Sequence, residues 1–156
     1  MYWKIPHINK VYEALSAIAD NRIQLISNTK GRQTSTSGNK FYTITYDPTT
    51  GAMMSDDNVA YWTDSISHAM IAFLLKTGRI DYNPKFLPYL ANIKWKDINQ
   101  KFKNDFDKST EYILSELQSR DYPIDSLIVE INRIYKMVCC LKIEQFGKKI
   151  KPSTAY

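Results

Sequence analysis

The sequence has few cysteines and no long apolar run, and each lack excludes a class of protein. Its two cysteines, Cys139 and Cys140, are adjacent in a helical pattern. Neighbours on a helix point in different directions, so no disulfide between them is expected, and such sparse cysteine is typical of a reducing compartment. No apolar run approaches the roughly 20 residues that a membrane span needs, and residues 1–10 lack the apolar segment of a secretory signal. We therefore expect a cytoplasmic protein without a membrane partner.

The motifs of several common enzyme classes are also missing from the sequence. None of the five glycines follows the Gly-x-x-x-x-Gly-Lys spacing of a phosphate-binding loop. No Gly-x-Ser-x-Gly turn surrounds Ser65 or Ser67, the serines closest in sequence to His68. No set of candidate catalytic residues has the spacing that its chemistry requires. The sequence therefore predicts no cofactor and favours a binding protein over an enzyme.

The sequence does contain enough apolar and aromatic residues for a folded domain. The chain has 156 residues, of which 44% are hydrophobic and 24% charged, both ordinary globular values. Eleven Tyr, six Phe and three Trp argue against disorder. The net charge of +5 permits a nucleic acid or an acidic protein as partner without requiring either. We predict one compact domain over residues 1–147, followed by a basic tail over residues 148–156.

Hydrophobic periodicity in the first third of the chain predicts a helix and a small sheet. Apolar residues at helical spacing predict an N-terminal helix over residues 6–20. Alternating patterns predict strands, and the strands are expected at residues 22–29, 40–46 and 52–55. The polar stretch 30–38 between the first two is predicted to be a long hairpin loop. Together the strands form a three-stranded antiparallel β-meander.

The remaining segments are predicted to be helical. Residues 65–76 are apolar on almost every side, which is typical of a buried helix. Residues 92–119 fit either one long helix or two. Residues 124–146 carry a steady apolar stripe, and with the preceding helix they are expected to form a C-terminal helical hairpin. If the stripe is wider than one partner covers, the hairpin is also a homodimer surface. The predicted fold class is α+β: the N-terminal helix, the sheet and the buried helix form one half, and the helical hairpin covers it.

Residues 39–78 resemble a SWIM zinc finger in the order of their elements. A strand, a Tyr-Asp-Pro turn closed by Gly51, a short strand, a polar loop and a helix entered through His68 follow one another as in that family. His68 matches the histidine ligand of the family, but its cysteine ligands are missing. At or near the three cysteine positions stand Met54, Asp56 and Ile66. Because SWIM domains bind DNA or proteins, the resemblance implies a binding module on a SWIM-like scaffold without its metal.

Five residues are candidates for contacting a partner. Lys30, Arg32 and Lys40 lie in or beside the polar loop and would contact phosphates, together with the hydroxyls between them. The alternative is a solvated loop that contacts nothing. Tyr61 and Trp62 form an aromatic pair that would stack on a base. The alternative is that they close the edge of the core.

A tight acidic cluster is the basis of an alternative function. Asp56, Asp57 and Asp64 lie near His68, and carboxylate oxygens can hold a divalent cation. These four residues would make the protein a small metal-assisted hydrolase. The alternative is that the carboxylates supply turn and cap hydrogen bonds and that His68 is a buried, hydrogen-bonded histidine. We favour a non-enzymatic binding or adaptor module whose partner is a nucleic acid or another protein.

Overall fold

The computed structural model describes residues 1–152, which contain both helices and a β-sheet and so confirm the predicted α+β class. Residues 153–156, which belong to the predicted basic tail, lie outside the described residues. In chain order the elements are α1 (Asn9–Ala19), β1 (Ile23–Ser27), β2 (Lys30–Thr34), β3 (Phe41–Tyr46), β4 (Met53–Ser55), α2 (Asn58–Thr63), α3 (His68–Lys76), a 3-10 helix (Pro84–Phe86), α4 (Leu87–Leu90), α5 (Trp95–Lys101), α6 (Phe106–Ser119) and α7 (Ile124–Cys140).

The sheet is an antiparallel meander in the order β1-β2-β3-β4, with four strands where the sequence predicts three. The additional strand, β2, lies in the stretch predicted to be a long loop, so that prediction was wrong. The residues of β2 alternate between exposed and buried positions, with Gly31 and Gln33 facing the helices. A glycine and a glutamine give the strand no apolar face, so period-two hydrophobicity cannot reveal it. A tight turn at residues 28–29 joins β1 to β2.

Helix α3 lies between the sheet and α1 and forms the centre of the core, as its all-round apolar pattern predicts. Its residues from position 69 to position 75 are all buried. The Ser67 hydroxyl accepts a hydrogen bond from the Met70 N–H (3.3 Å) and caps the start of the helix. On the side of the sheet, the Phe73 ring packs directly over Gly31. Burial of α3 therefore fixes the distance between the sheet and the helical layer.

Helix α1 is buried as fully as α3, although it carries several polar residues. Its residues from position 9 to position 18 are all buried, including Lys10 and Glu13. Helix α3 contacts it on one side, and α4, α6 and α7 contact it on others. The polar side chains of α1 therefore need partners inside the protein. One such pair is the Ser16 hydroxyl, which accepts from the Trp95 indole N–H at 2.8 Å.

The C-terminal helices follow the prediction in outline. Residues 92–119 form two helices, α5 and α6, separated where Asn104 adopts a positive φ of 62°. Asp105 then caps α6 by accepting from the Lys108 N–H. Helix α7 ends at Cys140 and is shorter than its apolar stripe predicts. Both α6 and α7 pack on α1, and the homodimer surface predicted on them stays a prediction. No helix within residues 1–152 is long and apolar enough to cross a bilayer.

The two ends of the described chain close the β4 edge of the sheet. The Met53 N–H donates to the Glu144 carbonyl, and the Phe146 N–H donates to the Met53 carbonyl, both at 2.9 Å. Trp3 is buried beside them, and its indole N–H also donates to the Met53 carbonyl at 3.0 Å. Because residues 143–146 are extended against β4, helix α7 cannot continue to the end of its apolar pattern. The free edge of the sheet is therefore at β1.

Candidate functional site

A cavity of about 440 Å³ lies where the helical layer meets the loop between β2 and β3. The lining residues come from α1, the turn before β1, the β2–β3 loop, β3, α2, the start of α3, α5 and the start of α6. Its lining includes charged, polar and aromatic side chains. They include Lys10, Glu13, Arg22, Lys40, Tyr42, Asp57, Trp62, His68, Lys96, Asn99 and Phe106.

Basic side chains outnumber acidic ones in the lining of this cavity. Four side chains of lysine or arginine line it, against two carboxylates. An excess of positive charge in a concave site attracts anions and raises their local concentration. The basic residues are Lys10, Arg22, Lys40 and Lys96, and the acidic residues are Glu13 and Asp57.

The two charged residues that α1 contributes form a buried ion pair. Lys10 Nζ donates to Glu13 Oε2 at 2.6 Å, and their side chains are only 7% and 10% exposed. They share one face of the helix because they are three residues apart. Lys10 Nζ also lies 4.1 Å from the centroid of the Phe106 ring, within the range of a cation–π contact. The pair adds fixed dipoles to the cavity without adding net charge.

Arg22 joins the cavity to the start of the β2–β3 loop. Its Nη1 donates to the Thr34 carbonyl at 3.1 Å, and its Nε lies 3.7 Å from Asp20 Oδ2. Burial lowers the pKa of the Arg22 guanidinium, and the charge of Asp20 partly offsets that effect. An arginine is not deprotonated in proteins, so Arg22 remains a fixed positive charge.

His68, at the first position of α3, hydrogen-bonds to a buried glutamine. Its Nδ1 lies 2.7 Å from Gln33 Nε2, and the Gln33 side chain is fully buried. Burial lowers the pKa of the His68 imidazole, and the carboxylates of Glu13 and Asp57 offset this only in part. The imidazole is therefore neutral at neutral pH. The sequence-based alternative of a hydrogen-bonded histidine describes this arrangement.

The lowered pKa of His68 predicts that the protein loses stability in mild acid. The unfolded chain binds a proton at this histidine near pH 6.5, whereas the folded chain binds it only at lower pH. The stabilisation from neutral burial is therefore full above about pH 6.5 and declines as pH falls through the folded pKa. Urea unfolding at several pH values should show this decline. The His68→Gln variant should flatten it, because a glutamine side chain takes up no proton. An unchanged pH dependence in His68→Gln would contradict the neutral burial of His68.

Three of the five predicted binding residues lie at or beside the cavity. Lys40 and Trp62 line it, and they are 8% and 66% exposed. Tyr61 packs edge to face on Trp62, with ring centroids 4.8 Å apart. Trp62 therefore does not close the edge of the core, which was the alternative for the pair, because its indole projects from the protein surface. Tyr61 is half-buried. Trp62 places a flat apolar ring at the rim of a positively charged cavity.

Lys30 and Arg32 lie on a different surface. They occupy the exposed positions of β2, on the face of the sheet opposite Gln33 and the cavity. The Arg32 guanidinium lies 4.2 Å from the centroid of the Phe41 ring on the neighbouring strand. The predicted cluster of three basic residues is therefore divided between two faces of the sheet, because residues 30–34 form a strand and not a loop.

Asp56 and Asp57 make the local hydrogen bonds expected if the acidic cluster is structural. Asp57 Oδ1 caps α2 by accepting from the Ala60 N–H at 2.9 Å. Asp56 Oδ1 accepts from the Thr43 N–H on β3 at 2.8 Å. Burial raises the pKa of the Asp56 carboxyl group. These bonds hold the loop before α2 against the sheet.

Asp64 bonds to the C-terminal tail and not to the other acidic residues. Its Oδ1 accepts from Lys149 Nζ at 2.6 Å, and Lys149 Nζ also donates to the Tyr61 carbonyl at 2.9 Å. The hydrogen bond from Lys149 lowers the pKa of the Asp64 carboxyl group. Of the four residues in the alternative metal site, Asp57 and His68 line the cavity. Among the residues that the structure describes, no three His, Cys, Asp or Glu side chains form a group that could hold a metal ion.

Sequence patterns indicated little about the role of Lys10, Glu13 and Arg22 in the cavity. Charged residues in a helical pattern and in a turn are usually solvated, so they carried no functional signal. One signal was present in α1, whose apolar residues lie on several sides of the helix. A Lys–Glu pair three residues apart within such a helix is forced to face other protein atoms.

The family model described as Uncharacterised conserved protein UCP014422 matches residues 3–144. The matched range includes every residue that lines the cavity. No curated protein and no solved structure gave a significant match. The description of the family names no activity, so the chemistry of the cavity is the basis for a function.

Proposed function

We propose that this chain, which belongs to the family described as Uncharacterised conserved protein UCP014422, is a non-enzymatic binding module that holds one nucleotide of a single-stranded nucleic acid in the cavity. The observation that carries the proposal is the combination of four basic side chains with an exposed tryptophan around one concave site. Phosphate needs cations and hydrogen-bond donors, and an unpaired base needs a flat apolar ring.

The basic side chains supply the phosphate half of the site. Arg22, Lys40 and Lys96 come from three separate segments and line the same cavity. The loop residues Ser35 and Ser37 add hydroxyl groups to the lining. Neutralising phosphates with such groups releases counterions, so binding should weaken as salt increases.

Trp62 supplies the base half of the site. Its indole is 66% exposed, and the edge-to-face contact with Tyr61 supports it from one side. Lys149 Nζ lies 5.4 Å from the centroid of the Tyr61 ring and donates to the Tyr61 carbonyl, which supports the pair further. A supported, exposed ring loses little conformational freedom when a base stacks on it.

The shape of the site favours an unpaired nucleotide over a duplex. A cavity of about 440 Å³ is within the range of small-ligand sites, roughly 300–1,000 Å³, and is not a flat basic stripe. Single strands present bases that can leave the stack and enter such a site. The SWIM-like order of elements in residues 39–78 agrees with a binding role, because SWIM domains bind DNA or proteins.

The Lys40→Gln variant tests the proposal. Fluorescence anisotropy should show that labelled oligothymidylate and oligouridylate bind the unchanged protein, with affinity that falls as salt increases. Removing the Lys40 charge should weaken binding and lower the slope of log affinity against log salt by about one, since one phosphate contact is lost. Trp62→Ala should weaken binding by about 1–3 kcal/mol with little change in the salt slope.

Lys30→Gln is the matched control for this experiment. It also removes one lysine charge, but from the exposed side of β2, on the face of the sheet away from the cavity. Binding should be nearly unchanged in this variant. If Lys30→Gln weakens binding while Lys40→Gln does not, the outer face of the sheet binds nucleic acid and the proposal is wrong. If no single strand binds at low salt, the proposal is also wrong, and a protein partner is left.

A further inference from the structure

The contact between Gln33 and His68 can serve two protonation states of the histidine. In the neutral state the Gln33 amide N–H donates to Nδ1, which leaves the imidazole proton on Nε2. A charged imidazole carries a proton on both nitrogens and needs an acceptor at Nδ1. The Gln33 amide can turn its Oε1 to that position, and Oε1 is buried without a hydrogen-bond partner in the part of the chain that the structure describes. A carbonyl or carboxylate partner could only accept a hydrogen bond from Nδ1, whereas an amide can either donate to it or accept from it.

Charged groups of both signs face His68 from every element around it. From α1 come Lys10 and Glu13, from the turn before β1 comes Arg22, and from the start of α2 comes Asp57. The same cavity is lined by Lys40 from the loop before β3, by Tyr42 from β3 and by Lys96 from α5. Burial lowers the pKa of the His68 imidazole, so the imidazole stays neutral although these charged groups surround it. An anion in contact with the imidazole acts in the opposite direction and favours its charged form.

The carboxylates in the lining are already engaged by protein groups. Glu13 accepts from Lys10, and Asp57 accepts from the Ser55 hydroxyl and from the start of α2. The lining also contains cationic groups and one imidazole proton donor, which are Arg22, Lys40, Lys96 and the Nε2 proton of His68. Arg22 already donates to the Thr34 carbonyl. When Asp20, the ion-pair partner of Arg22, is counted, the charged groups around the cavity have an excess of one positive charge with His68 neutral and of two with His68 protonated. A phosphate diester carries about one negative charge, whereas a phosphate monoester carries about two at pH 7.

We propose that the cavity selects a terminal phosphate monoester, and that His68 takes up one proton when this dianion binds, with Gln33 turning its amide oxygen toward Nδ1. The inference rests on the proposed function and narrows it, because the nucleotide held in the cavity is then the phosphorylated end of a strand. An internal phosphate would satisfy only part of the positive charge that is present when His68 is protonated.

Isothermal titration calorimetry with short oligothymidylates tests the ligand class. Three probes of one length are compared, carrying a 5′-phosphate, a 3′-phosphate or no terminal phosphate. One of the two phosphorylated probes should bind about tenfold more tightly than the unphosphorylated strand. This difference in affinity corresponds to about 1.4 kcal/mol of binding free energy. If all three probes bind equally, the selection of a monoester is overturned while the proposed function stands. If none binds, the proposed function fails. The inference fails with it, because a phosphorylated end that does not bind is not selected.

The same titrations also measure the number of protons that the protein takes up when the probe binds. Repeating them in buffers of different ionisation enthalpy should show uptake of about one proton near pH 7 for the phosphorylated probe. Above pH 6.5, where the monoester is mostly a dianion, affinity should fall with rising pH, by at most about tenfold for each pH unit. His68→Asn should abolish the uptake, and His7→Asn should preserve it. Uptake that persists in His68→Asn overturns the role of His68.

Nuclear magnetic resonance keeps this test decisive if His68→Asn does not fold. The sequence has two histidines, so the imidazole signals of the unchanged protein can be assigned with His7→Asn alone. The titration midpoint of His68 should rise when the phosphorylated probe is added, and that of His7 should not move. A His68 midpoint that stays unchanged when the probe is bound would overturn the proposed protonation.

Discussion

Replacing Glu13 with alanine is expected to lower the free energy of unfolding by about 3 kcal/mol. The change leaves the Lys10 ammonium with a side chain only 7% exposed and without its carboxylate partner at 2.6 Å. An unpaired charge in such a place loses the attraction that offset its desolvation. The expected loss of about 3 kcal/mol is at the low end of the range for a broken buried ion pair, because the neighbouring cavity lets water approach Lys10. Urea unfolding followed by circular dichroism at neutral pH measures it, with an unchanged dependence on denaturant.

Two further variants distinguish the broken charge pair from simple loss of packing. Lys10→Met combined with Glu13→Leu removes both charges and keeps similar volumes, so it should recover most of the lost stability. Asp81→Ala breaks the exposed pair with Arg133, in which the Asp81 side chain is 80% exposed, and should change stability by about 0.5 kcal/mol or less. If Glu13→Ala is no more harmful than Asp81→Ala, the pair on α1 is effectively solvated.

The fold was predictable from sequence wherever one local pattern determined the structure. The apolar residues of α3 lie on all sides of the helix, so the sequence predicts that this helix is buried between two layers. Strand β2 was not predictable, because the residues on its buried face, Gly31 and Gln33, suit partners that are distant in sequence. Gly31 makes room for Phe73, and Gln33 bonds to His68. Neither reason is visible within residues 30–34 themselves.

The sequence predicted Lys40 and Trp62 as binding residues of the candidate site, and it named two more lining residues, Asp57 and His68, for a different chemistry. Lys40 and Trp62 stood out because a basic residue beside a polar loop and an exposed aromatic pair are local signals. The buried part of the site joins Lys10 on α1 to Phe106 at the start of α6, and no local pattern relates such distant positions. The acidic residues were misleading for a related reason, since their closeness in sequence reflects a cap and a loop bond.

Changing Gly31 to alanine is expected to destabilise the protein by about 2 kcal/mol, although alanine is the better residue for most backbone positions. A Cβ at this position would lie 2.8 Å from Phe73 Cδ2 and 3.3 Å from Phe73 Cε2. The Phe73 side chain is fully buried at the centre of the core, so its ring has no open space to move into. The sheet and α3 must therefore separate slightly, or the ring must leave its preferred rotamer. Thermal and urea unfolding both report the loss.

A double-mutant cycle with Phe73→Leu shows whether the contact itself is the cause. Phe73→Leu alone should destabilise by about 1–2 kcal/mol through lost burial. In the double variant, the smaller side chain leaves room for the added methyl group, so the combined loss should be smaller than the sum of the two single losses by at least about 0.5 kcal/mol. Simple addition of the two effects would mean that Gly31 is required for some reason other than the approach of Phe73.

Because Gly31 precedes Gln33 by two residues on the same face of β2, an outward shift of this strand would also lengthen the bond from Gln33 to His68. Loss of stability in Gly31→Ala should therefore be accompanied by a change in the titration midpoint of His68, which links the packing of the core to the chemistry of the cavity.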